Sequence, residues 1–114
     1  MTEMDNYEAL RELEEQEDAL NDMIRNFKRE EEEEDHMLLD ELNKLDQMYD
    51  MCDESDVKLK SLMEEKRELL CQIRNENSNF ADEFYAHVQN EQRKLEDKRE
   101  ELKAQFDETT EQEL

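Results

Sequence analysis

Glycine, proline and tryptophan are all absent from this sequence. Without glycine the backbone has no strain-free route to positive φ, which removes glycine-rich phosphate loops and most tight turns. A calcium loop beginning at Asp53 fails for the same reason, because Lys58 stands where the sixth-position glycine belongs. Cysteine is scarce: Cys52 and Cys71 are the only two, with no CxxC pair or Cys/His cluster beside them, so both are expected as reduced thiols packed on helices. No apolar run approaches the roughly 20 residues of a membrane span. The opening MTEMDNYEAL lacks the basic and apolar regions of a signal peptide, so folding in the cytoplasm is expected.

What is present is charge. Charged residues make up 46% of the 114 and hydrophobic residues 34%, and most of the charge sits on Glu, Lys and Arg, which favour helix. The net charge of −22 repels nucleic acid and anionic membrane surfaces, excluding both as direct partners. Residues 1–57 hold 22 acidic and 5 basic side chains, residues 58–114 only 15 and 10, so the first half is the better face for a basic partner. With so narrow an apolar supply the chain is expected to be elongated rather than built around a broad core.

The apolar residues recur at helical spacing. Leu10, Leu13, Leu20, Ile24 and Phe27 fall on one face, with Glu17 at the missing step. The stripe lapses through the acidic run Lys28 to His36, in which Glu30 to Glu34 are unbroken and Glu31 and Glu34 take apolar positions, and resumes at Leu38, Leu42, Leu45, Tyr49 and Cys52. Such a run is a solvated helical segment or a docking patch for basic side chains. In the second half Leu59, Leu62, Leu69 and Ile73 lead into Phe80, Phe84, Val88, Leu95, Leu102 and Phe106, read as one stripe. The pairs Glu91/Lys94, Glu96/Arg99 and Glu100/Lys103 support that helix along its exposed side.

Two places can interrupt the helix. Asp50 to Asp56 carries Asp and Ser side chains that compete for backbone hydrogen bonds, and Asn75 to Asn79 is a denser cluster in which Ser78 or Asn79 could N-cap a helix starting at Phe80. The first break is preferred. It makes residues 1–114 a single all-α domain, an elongated antiparallel helical hairpin of coiled-coil type, with arm one about 2–52, a hinge about 53–56 and arm two about 57–112. Phe27 then lies roughly opposite Phe80 and Phe84. A break at 75–79, or one continuous helix in a parallel dimer, are the alternatives; Glu at several seam positions speaks against the dimer.

No catalytic, cofactor or metal residues emerge. His36 lies in the acidic run and His87 beside the Phe84 stripe, and neither has a Ser or Cys at a spacing that makes a nucleophile pair. Met1, Met4, Met23, Met37, Met48, Met51 and Met63 suit either core filling or a surface that repacks around a partner. The expected function is therefore protein binding rather than an enzymatic reaction. The candidate partner-binding residues are Leu10, Leu13, Leu20, Ile24, Phe27, Glu31, Glu34, Phe80 and Phe84. A prefoldin-like holdase would need a β-hairpin base, for which no strand-like alternation exists.

A short acidic chain with two amphipathic arms and the closing segment FADEFYAHVQNEQRKLEDKREELKAQF resembles the small helical partners encoded beside LXG toxins of Gram-positive type VII secretion systems, which are WXG-like in architecture. The likeness is one of pattern over most of the chain, and the WXG turn itself is absent. The resemblance implies an adaptor or targeting chaperone that binds the helical N-terminal LXG domain of a toxin, with room for a second small helical partner, and that presents the toxin for export or leaves with it. Tyr49 and Asp53 match the Y-x-x-x-[D/E] export signal of those systems, although the acid content makes one such match expected by chance and Tyr49 also reads as packing at the hinge end of the first arm. The alternative function is a structural coiled-coil or self-assembling spacer without cargo, for which a stable homodimer is the sign.

Overall fold

A computed structural model describes residues 3–113 as two helices, α1 (Glu3–Met51) and α2 (Val57–Glu113), with no strand among the described residues. The helices run antiparallel as a hairpin. Their sequences explain their length: Glu, Lys, Arg, Leu and Gln dominate, and neither helix contains a glycine or proline that would interrupt it.

The connection turns without glycine. The N–H of Cys52 donates to the carbonyl of Tyr49 at 3.2 Å, closing α1 with a tightened last turn, and the N–H of Asp56 donates to the carbonyl of Asp53 at 3.0 Å. Asp53 also accepts the Ser55 N–H on its carboxylate at 3.3 Å, the Asp side chain standing in for a backbone acceptor. No described residue has positive φ, so side-chain acceptors replace the conformational freedom that glycine would supply. Asp56 then N-caps α2: its carboxylate accepts the Leu59 N–H at 3.3 Å, and its carbonyl accepts the first helical bond from Lys60 at 3.2 Å. Asp56→Ala is expected to lower the unfolding free energy by about 0.5–2 kcal/mol. An unchanged urea midpoint would show that the cap contributes nothing.

The second candidate break does not exist. Asn75 to Asn79 lies inside α2, so Ser78 and Asn79 cap no helix there. Each of those residues disfavours helix by only a few tenths of a kcal/mol relative to Ala, up to about 0.7, and Arg74 and Ala81, flanking the cluster, face the neighbouring helix.

Two compact units share the helices. Unit 1 comprises Met1–Asn26 with Phe84–Leu114, and unit 2 is Phe27–Glu83, which contains the turn. Unit 1 buries Leu13, Leu20, Val88 and the side chain of Asn6. The Tyr7 and Phe106 rings meet edge to face at 5.7 Å, and Arg99 grips Glu17 with three hydrogen bonds of 2.8–3.1 Å. Unit 2 buries Leu42, Leu45, Met63 and Ala81, and its helices are further joined by Arg74 to Asp35 at 2.8 Å, Arg67 to Asp46 at 3.0 Å and Lys66 to Glu41 at 3.8 Å.

The expected stripe on the first half of α2 needs correction. Leu59, Leu62, Leu69, Ile73 and Phe80 are all exposed, and Met63, Leu70, Arg74, Asn77 and Ala81 occupy the inward positions instead. The cause is the unbroken helix. Spacing of three and four carried back from Val88 and Phe84 arrives at Ala81, Asn77, Arg74, Leu70 and Met63, whereas Leu62, Leu69, Ile73 and Phe80 fall one position off that line. Only a break would have let the two segments rotate independently.

Candidate protein-docking surface

The exposed apolar row is the feature of unit 2 that its own packing leaves largely uncovered. On α2, Leu62 is 57% exposed, Leu69 60% and Phe80 62%, with Leu59 and Ile73 beside them at heptad spacing. Scattered exposed apolar residues are ordinary, but a row of five on one face of one helix is the pattern of a helix that packs against something.

The neighbouring edge of α1 follows from two observed contacts. Phe27 and Phe80 have ring centroids 6.0 Å apart, and Lys66 reaches Glu41 at 3.8 Å. Moving one heptad along α1 from Phe27 to Glu34, and one back along α2 from Phe80 to Ile73, sets Glu34 level with Ile73. The next step arrives at the observed Glu41–Lys66 pair, and one more sets Met48 level with Leu59. This lateral face of unit 2 therefore carries the α2 row, the exposed Met48 and the exposed Glu34 together. The opposite side of unit 2 is different in kind, being tied by Asp46–Arg67 and by the two-point Asp35–Arg74 contact. The hydrogen bond from Arg74 holds the Asp35 carboxyl below its usual 3.8, against a smaller opposing effect of burial.

The residues proposed from sequence separate into groups. Leu13 and Leu20 are buried in unit 1, and Leu10, Ile24 and Phe84 are half-buried there, so these serve internal packing. The Phe84 ring stacks edge to face on Tyr85 at 5.6 Å. In unit 2, Phe27 and Glu31 are half-buried, while Glu34 and Phe80 are exposed on the lateral face just described. Met48, Leu59, Leu62, Leu69 and Ile73 were missing from the candidate set; the signal that finds the α2 residues is the one-position offset between their row and the line through Val88, and Met48 follows only from the pairing across the hairpin.

Tyr49 and Asp53 do not share a helical face. Helix α1 ends at Met51, and Asp53 belongs to the turn. Tyr49 is half-buried, donates its hydroxyl to Glu64 at 3.0 Å and carries Lys60 at 5.2 Å from its ring centre. The bond to Glu64 raises the phenol above its usual 10.0, since an ionised Tyr49 would face a carboxylate.

The titratable groups offer little else. His36 lies exposed 3.6 Å from Asp40, His87 is exposed on α2, and Cys52 and Cys71 are free and half-buried. Among the described residues no group of three or more His, Cys, Asp or Glu side chains could hold a metal ion, and no helix is long and apolar enough to cross a membrane. A shallow open groove in unit 1 is lined by Ala9, Leu13 and Leu102 together with Glu12, Lys98 and Glu101. Comparison of the chain with protein-family models, curated proteins and solved structures gives no match.

Proposed function

We propose that this chain is a non-enzymatic helical adaptor that takes up a helical segment of another protein along the α2 row of unit 2. The observation that carries the reading is the exposure of Leu59, Leu62, Leu69, Ile73 and Phe80 on one helix face while Arg74, Asn77 and Ala81 take seam positions beside Met63 and Leu70. A sequence that needed only a stable hairpin would turn its larger apolar residues inward. The resemblance to the small partners of LXG toxins supplies the cargo class: the helical N-terminal domain of a secreted toxin, presented to a type VII secretion system.

Co-expression with an LXG protein encoded beside this chain, followed by pull-down, tests the reading. The expected result is a stoichiometric complex that the double variant Leu62→Ser/Leu69→Ser weakens about tenfold or more, as removal of central apolar anchors does. No co-purification of the LXG protein would remove the toxin cargo from the proposal. The second reading, a self-assembling spacer, is favoured by the same row, since two copies could bury it against each other. Mass in solution separates the two: a monomer that gains thermal stability on adding cargo supports the adaptor, and a tight homodimer supports the spacer.

A further inference from the structure

We infer that the occupant of the lateral face of unit 2 is a cationic amphipathic helix of another protein, whose basic side chains meet Glu34 and the acidic flank of α2, and not a second copy of this chain. The inference rests on the adaptor reading and specifies the chemistry of the partner. Length comes first. From Leu59 to Phe80 the row spans 21 residue steps, about 32 Å at 1.5 Å per residue, which matches a partner helix of about six turns.

Charge decides the rest. Of the cations bordering this face, Lys44 and Lys66 are both engaged with Glu41, at 3.9 and 3.8 Å, and Lys58, one heptad before Glu65, stands exposed at its turn end. Glu34 is exposed level with Ile73 and has no ion-pair partner among the described residues, and Glu65, Glu76 and Glu83 lie exposed on α2 beside the row. Four exposed carboxylates against the single Lys58 leave the balance acidic, around an apolar centre. Burying that centre against another copy would bring two chains of −22 together along the same acidic edges, a repulsion that a basic partner converts into attraction. Met37 and Met48 on the α1 side supply side chains that adjust to the partner's knobs.

Synthetic peptides test the inference on the full chain. One 21-residue peptide carries Leu at heptad a and d positions with Lys alongside; a second has the same composition with its leucines spread around the helix; a third replaces Lys by Glu. Binding is read by fluorescence anisotropy at 0.15 M salt. The first peptide is expected to bind about tenfold or more tightly than either control, to lose that advantage against Leu69→Ser/Ile73→Ser, and to weaken several-fold with a shallower salt dependence against Glu34→Lys. Both substituted apolar side chains are exposed, so the double variant should keep its helicity, which circular dichroism verifies. Equal binding of the two Lys peptides would reduce the effect to net charge and overturn the site. A dimer of the free chain that Leu69→Ser/Ile73→Ser dissociates would overturn the occupant. A toxin complex untouched by these variants would refute this face while leaving the adaptor reading intact; the expected peptide binding without any toxin complex would do the reverse.

Discussion

Leu42→Ala is expected to lower the unfolding free energy by about 2–5 kcal/mol, whereas Leu62→Ala should change it by no more than about 0.5 kcal/mol. The two positions carry the same side chain on the two helices of unit 2, but Leu42 is 7% exposed and Leu62 57%. Truncation at Leu42 removes apolar contacts next to Leu45 and leaves a cavity that two rigid helices cannot collapse to fill. At Leu62 the lost atoms already faced water. Urea denaturation of both variants, with slopes checked for constancy, measures the contrast. Equal losses would mean that α2 presents Leu62 to α1 after all, and would turn the proposed docking face into the seam.

Replacing both Glu17 and Arg99 by Leu is expected to stabilise the chain by about 1–2 kcal/mol, while Arg99→Ala alone should destabilise it by about 1–2 kcal/mol. The pair stands in line with Leu13 and Leu20 in unit 1 and holds three hydrogen bonds, yet its side chains remain 31% and 48% exposed. Partial exposure limits both the desolvation cost and the attraction, which is why the expected gain lies at the low end for exchanging an ion pair for apolar packing. Arg99→Ala leaves the Glu17 carboxylate facing an apolar seam without its donor. A double variant less stable than the wild-type chain would show that the pair contributes more than shape-filling leucines can.

Fold class was legible because the absences were so complete: a chain lacking glycine and proline, rich in Glu, Lys and Leu, has few alternatives to helix. The acidic Asp50 to Asp56 segment contained the turn because Asp carboxylates can satisfy backbone N–H groups, as Asp53 and Asp56 do. The rotation of α2 was not legible. Phe80 and Phe84 share a face at spacing four, and both the row through Phe80 and the line through Ala81 continue backwards at helical period, so apolar size pointed to the wrong one. What decides is pairing across the hairpin. Arg74 against Asp35 and Glu17 against Arg99 put charges at seam positions, where a hydropathy pattern records only gaps. Part of the candidate surface was visible, in Phe80 and Glu34; the rest appears only when the seam is located.

The order in which such a chain can assemble follows from where its turn sits. Tyr49 and Glu64 meet across 15 residues, Asp35 and Arg74 across 39, and Glu17 and Arg99 across 82. Loop-closure entropy rises by about 0.6 kcal/mol for each doubling of the loop, so contacts beside the turn form at the least entropic cost, and each one shortens the effective loop for the next. Helix pairing is thus expected to nucleate around Tyr49 and proceed outward, with no proline isomerisation to delay it. The Asp56→Ala variant should accordingly act mainly by slowing folding, and the Glu17/Arg99 variants mainly by changing the rate of unfolding.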